Sequence, residues 1–111
     1  MAEDNKMLQQ LSEIGLRYLK RTLTEIGGLR DLLEKLRAGD TGCLKEIEHL
    51  SHKIHGSGAM FGFDHLSSQA REIEIAAGSE PNSPDLHAKL ELYIAGLQNA
   101  AAAAAKERGL Q

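Results

Sequence analysis

Leucine and isoleucine recur at three- and four-residue steps along most of this chain, and no stretch alternates as a half-buried strand would. Leu16, Leu19, Leu23, Ile26, Leu29, Leu33 and Leu36 mark one face of a long helix over 15–38. Gly27 and Gly28 interrupt it. Each glycine costs about 1 kcal/mol relative to alanine in a helix interior, so a bend or a close packing contact is expected there. Ala38-Gly39-Asp40 ends the helix, because glycine is the usual residue just past a helix terminus. Ahead of it, Met1 to Glu13 is polar, with Met7, Leu8 and Leu11 as its apolar residues, and predicts a short helix of its own with frayed ends.

Asp40 or Thr41 can cap a second helix over 41–60, with Leu44, Ile47, Leu50 and Ile54 on its buried face. Gly62 is the natural break after it. A third helix over 63–78 carries Phe63, Leu66, Ala70, Ile73 and Ala77 at the helical repeat. Gly78 to Pro84 (GSEPNSP) is the clearest loop in the chain. Ser83, Pro84 and Asp85 then supply a cap, a proline for the first helical position and an acid for the first turn. The fourth helix, over 84–107, places Leu86, Leu90, Tyr93, Leu97, Ala100 and Ala104 inward, and its alanine run reads as a helical tail. Short connections make neighbouring helices antiparallel. The expected fold is all-α: one domain, 1–111, built as an up-down-up-down four-helix bundle with a short N-terminal helix.

Composition narrows the function. The net charge of -3 over 111 residues leaves no basic surface for nucleic acid. No apolar run is long enough for a membrane, and no secretory signal opens the chain. A single cysteine, Cys43, excludes an internal disulfide framework and a thiolate-rich zinc site. A cytoplasmic setting is expected, and Met1 with near-complete helices favours a free-standing domain.

The stretch His52 to Gly62, HKIHGSGAMFG, carries the candidate chemistry. At about 100° per residue, His52 falls roughly 150° from the centre of the Leu44–Ile54 stripe and faces solvent. His49, Lys45 and Gly56 share that side, and His55 sits on the flank. An exposed glycine inside a helix, one turn from an exposed imidazole, costs stability without a packing return. It makes sense where another molecule must come close. Gly58 falls on the inner side, where it allows close helix contact, and Ser57 adds a hydroxyl nearby. A nucleotide loop is disfavoured, because a helix rather than a strand precedes the glycines and the Walker lysine is missing. A metal is not expected: His49, His52 and His55 drift apart by about 60° per step, and Glu46 with His49 lies on the outer face without a second such pair. No nucleophile elbow supports a hydrolytic triad.

HKIHGSGAMFG resembles the signature of the histidine-containing phosphotransfer (HPt) domain: a helix-borne histidine, a basic residue three positions on, then glycine, a small residue, and a further glycine after an apolar patch. His52, His55, Gly56, Ser57 and Gly62 take those places here, and Phe63 to Glu74 looks like the amphipathic helix that follows. One departure stands out. His55 replaces the family's Lys or Arg, exchanging a permanent charge for a side chain that titrates near neutrality; Lys53 and Lys45 are candidates to supply the charge instead. The resemblance implies a phosphocarrier without an ATP site or a bound cofactor, rather than an enzyme that makes phosphate donors. It implies His52 as phosphoacceptor and donor, supported by His55, Gly56 and Ser57. It also implies a docking face of Lys45, His49, Lys53, Ala59 and Met60. The implied partners are a response-regulator receiver domain, bringing its own aspartate and Mg²⁺, and a sensor or hybrid histidine kinase. The alternative within the same fold is a non-phosphorylated docking or inhibitory module.

Overall fold

The computed structural model describes residues 2–109, with side chains from Asn5 onward. It contains four helices: α1 (Ala2–Arg37), α2 (Cys43–Met60), α3 (Asp64–Ser79) and α4 (Leu86–Glu107). The contacts fix their directions. Tyr18 meets Ser57 and Glu25 meets Lys53, so α1 and α2 are antiparallel. Gly58 abuts Ser67 near the α2–α3 turn and His52 meets Glu74 far from it. Gly96 faces Gln69, while Arg108 covers Phe63, which runs α4 against α3. Each helix packs on its two neighbours, and among the described residues the backbones of the diagonal pairs, α1 with α3 and α2 with α4, do not come close. This is the expected up-down-up-down bundle.

The short N-terminal helix is not a separate element. α1 runs unbroken from Ala2 through Gly15, and Met1 lies outside the described residues. No proline and no capping turn divides the two stretches, and one glycine at about 1 kcal/mol cannot stop a helix already propagating. The axis of α1 spans 36 residues, about 54 Å at 1.5 Å per residue, and the molecule is 57 Å long. Residues 5–14 are exposed throughout, so the first turns project beyond the bundle. At the glycine pair α1 continues: Gly28 faces Leu50 of α2, and Gly27 opens outward.

The inner face of α1 also differs from the simple leucine count. Leu19, Ile26, Leu29, Leu33 and Leu36 are buried, but Leu16 is half-buried and Leu23 is exposed. Tyr18 and Thr22 turn inward instead. Tyr18 is held there by a 3.0 Å hydrogen bond to Ser57 and by stacking on Phe61 and Phe63, with ring centroids 4.6 and 5.4 Å away. On α2, Ile47 and Ile54 are buried, while Leu44 and Leu50 are half-buried at the margin. All five expected apolar residues of 63–78 are buried. In α4 the buried track is Leu86, Leu90, Ile94, Leu97, Ala100, Ala101 and Ala105, with Tyr93 and Ala104 on its flank. Each large aliphatic side chain buried in this core contributes about 1.5–3 kcal/mol relative to exposure.

The helix ends depart from expectation at two starts and follow it at two stops. Asp40 organises the turn before α2, accepting the Gly42 N–H on its side chain at 3.2 Å and the Cys43 N–H on its carbonyl at 3.2 Å. The helix itself begins at Cys43, with Gly42 in the cap position and no side-chain cap. Ser83 does not cap α4. Its hydroxyl bonds the Asp85 carboxylate, holding that group below the usual carboxylate range, and α4 begins two residues late, at Leu86. The two glycine stops, by contrast, close fully. Gly39 and Gly62 adopt φ of 105° and 81°. Around Gly62 the Phe63 N–H donates to the Gly58 carbonyl at 2.8 Å and the Gly62 N–H to the Ala59 carbonyl at 3.2 Å. That pairing satisfies orphan carbonyls at the end of α2 and reverses the chain within three residues.

α2 and α3 share the most extensive interface of the bundle, and at Gly58 the backbone of α3 itself comes up against α2. A Cβ there would lie 3.2 Å from the backbone of Ser67, whereas a Cβ at Gly56 would meet nothing within 4 Å. The two glycines should therefore respond oppositely. Gly56→Ala is expected to stabilise the fold by about 0.5–1 kcal/mol. Gly58→Val should destabilise it by about 1–3 kcal/mol through overpacking. Urea unfolding followed by circular dichroism measures both; equal shifts would contradict the close α2–α3 contact.

Candidate functional site

The Gly62 turn folds α3 back along α2, and the Gly58–Ser67 contact sets how closely the two helices run. The Ser67 hydroxyl strengthens that approach by donating to the His55 carbonyl at 2.7 Å. About three turns from Gly62, α2 presents His52 and α3 presents Glu74. The Glu74 carboxylate bridges two imidazoles: Oε2 engages Nδ1 of His52, and Oε1 lies 3.3 Å from Nδ1 of His55. The His52 side chain remains 73% exposed, against 32% for His55 and 22% for Glu74. The carboxylate is thus planted at the helix interface while the His52 ring stands out from it. The two rings are 6.5 Å apart between centroids and nearly perpendicular.

This arrangement has a chemical consequence. A carboxylate accepts hydrogen bonds, so a neutral imidazole facing it through Nδ1 carries its proton there. The remaining lone pair is then on Nε2, on the far side of the ring from Glu74. Gly56, one turn along α2, is exposed and leaves open space beside the ring.

The other sequence-selected residues divide into two groups. Lys45, His49, Ala59 and Met60 are exposed on α2, Met60 at 79%. Ser57 and Lys53 face α1. The Ser57 hydroxyl bonds Tyr18 and the Lys53 carbonyl, the latter at 2.8 Å, and the Lys53 ammonium pairs with Glu25 at 2.6 Å. Neither is brought to the His52 ring. Glu74 is the residue that sequence reasoning missed. It lies on the margin of the α3 stripe, beside Ile73, where a charged residue looks like ordinary surface. Counting equal numbers of helical turns in both directions from Gly62 would have pointed to it.

A family model described as the Hpt domain matches residues 17–100, well over half of the chain. No curated protein and no solved structure matches it significantly. The chain belongs to the Hpt domain family, whose members are phosphocarrier modules that work with kinases and response regulators in two-component signalling. None of the described helices is long and apolar enough to cross a membrane.

The Glu74 contact makes a spectroscopic prediction. Long-range ¹H–¹⁵N correlation of the neutral imidazoles should show His52 protonated on Nδ1 and unprotonated on Nε2. Glu74→Ala should shift His52 toward the Nε2–H form and leave His87, on α4, unchanged. An unaltered His52 tautomer in that variant would contradict the contact.

Proposed function

We propose that His52 is the phosphoryl-accepting and phosphoryl-donating residue of a two-component phosphorelay. The observation that carries this reading is the exposed His52 ring, with Nδ1 engaged by Glu74, Nε2 free, and Gly56 open beside it. In the forward step the Nε2 lone pair attacks the phosphorus of an aspartyl phosphate on a receiver domain. The N–P bond forms as the P–O bond to the aspartate breaks, and the bonding pair leaves with the aspartate carboxylate. The proton stays on Nδ1, so the ring gains positive charge, which the Glu74 carboxylate balances as a carboxylate does for the histidine of a hydrolytic triad. The reverse step runs the same bonds backward.

Phosphoryl transfer of this kind depends on positioning and electrostatics more than on covalent machinery. The receiver domain supplies the aspartate and Mg²⁺, and the bundle supplies an oriented imidazole on a rigid helix. A sensor or hybrid kinase loads the relay upstream. The docking face comprises Lys45, His49, Ala59 and Met60 around the open position at Gly56. Lys53, paired with Glu25, contributes to the α1–α2 interface, which leaves His55 as the polar ring nearest His52. Ser57 acts through the scaffold, tying α2 to Tyr18.

His52→Gln should abolish phosphorylation that is labile to acid and stable to alkali, while the circular dichroism stays helical. Phosphate that persists and maps to His49 or His55 would reassign the acceptor. A chain that takes no phosphate from any receiver or kinase would instead be a docking or inhibitory module. Gly56→Glu fills the open position without touching the core and should slow transfer from a phosphorylated receiver at least tenfold, about the effect of 1.4 kcal/mol in the barrier. Stopped-time transfer assays read the rate, and an unchanged rate would remove the role of the open position.

A further inference from the structure

One carboxylate holding two imidazoles is also a metal-ligating set. We propose that His52, His55 and Glu74 bind a borderline divalent transition ion, zinc foremost. We further propose that the ion and the phosphoryl group exclude each other at His52; this second half rests on the phosphocarrier reading, and the binding half does not.

The three residues can each offer one ligand atom, all within 4.8 Å of one another. Zinc bonds of about 2.0–2.2 Å to nitrogen and oxygen place tetrahedral ligand atoms roughly 3–3.5 Å apart. His55 Nδ1 and Glu74 Oε1, at 3.3 Å, already have that separation. The exposed His52 ring has the freedom to complete it by small side-chain rotations. The backbone beneath is fixed: His52 and His55 are one turn apart on α2, and Glu74 is brought up by the Gly58–Ser67 contact and by the Ser67 bond to the His55 carbonyl. Two imidazoles and a carboxylate suit zinc, copper or nickel and do not suit magnesium, which prefers an all-oxygen shell. Three protein ligands with an exposed outer side leave a fourth position for water, as in open zinc sites.

The exclusion follows from proton and electron counting. A neutral imidazole has one ring proton and one in-plane lone pair. If Nδ1 gives its pair to the ion, the proton resides on Nε2, which then cannot attack phosphorus. If Nε2 binds the ion, the nucleophile is occupied outright. Either way the metal-loaded ring has no free pair for a phosphoryl group, and removing the ion restores it with no net redox change.

Untagged full-length chain, titrated with zinc chloride in a calorimeter, should bind one ion per chain, and magnesium chloride should give no binding. Glu74→Gln and His55→Gln should each weaken zinc binding by more than the tenfold or so that losing even an outer-shell partner costs. His49→Gln and His65→Gln should leave it unchanged, with circular dichroism confirming that all four variants are helical. Zinc affinity unmoved by Glu74→Gln, or reduced equally by His49→Gln, overturns the site in favour of scattered surface histidines. For the exclusion, one equivalent of zinc should suppress labelling of His52 by a low-molecular-weight phosphoramidate, and EDTA should restore it. Labelling at an unchanged rate on the zinc-loaded chain overturns exclusion. A chain that binds zinc through these residues but is never labelled, with zinc or without, overturns the phosphocarrier reading and exclusion together while leaving the metal site standing.

Discussion

The close passage of α3 over Gly58 is the constraint on which the functional face depends. A side chain at that position would crowd the backbone of Ser67 and strain the bond from its hydroxyl to the His55 carbonyl. Glu74 stands toward the far end of α3. It is about two helical turns from Ser67, so the angle at the crossing sets how close its carboxylate comes to the two imidazoles. The glycine that has no chemistry of its own therefore sets the geometry of the groups that do. The Gly62 turn cooperates, since its paired hydrogen bonds fix where α3 starts.

Much of this was legible in the amino-acid order because the governing signals are local. Helical periodicity, the glycine stops at Gly39 and Gly62, and the outward phase of His52 all depend on residues within a few turns of one another. The failures share a different cause. Whether 1–13 and 15–38 are one helix or two turns on whether anything stops propagation, and a lone Gly15 does not. Ser83 looked like a cap, but its hydroxyl turns to the Asp85 carboxylate and α4 starts with no side-chain cap. Tyr18 took the interior place that Leu23 was expected to hold, because a hydrogen bond to Ser57 and stacking on the two rings of the α2–α3 turn outweigh the simple apolar ranking; Thr22 is buried one turn on with no hydrogen-bond partner for its hydroxyl among the described residues. Glu74 was invisible for the same reason: its significance lies in the register between two helices, which no single helix encodes.

The lysine–glutamate pair between α2 and α1 separates two roles that a one-dimensional motif runs together. Lys53 and His52 are adjacent in sequence, yet the helix sends Lys53 toward Glu25 on one neighbour and His52 toward Glu74 on the other. Each acidic partner thus serves one interface. His55, at the place the resemblance gives to a basic residue, belongs to the second of these. A lysine there would bring a permanent cation to Glu74, whereas an imidazole offers it a second, titratable ring. The electrostatics around His52 in this chain are accordingly set by a carboxylate shared between two like groups.

The projecting start of α1 has a further physical meaning. An isolated helix of about a dozen residues is marginal in water, because closing its first turn is so costly. Here that cost does not arise, since the turns beyond Gly15 grow outward from a segment already held by the bundle. Their helicity is borrowed from the core, and it must weaken with distance from it. α1 is thus one element geometrically but graded thermodynamically: anchored along its inner half and progressively easier to melt toward Ala2. Met7, Leu8, Leu11 and Ile14, all exposed on these turns, ride on this graded end of the helix.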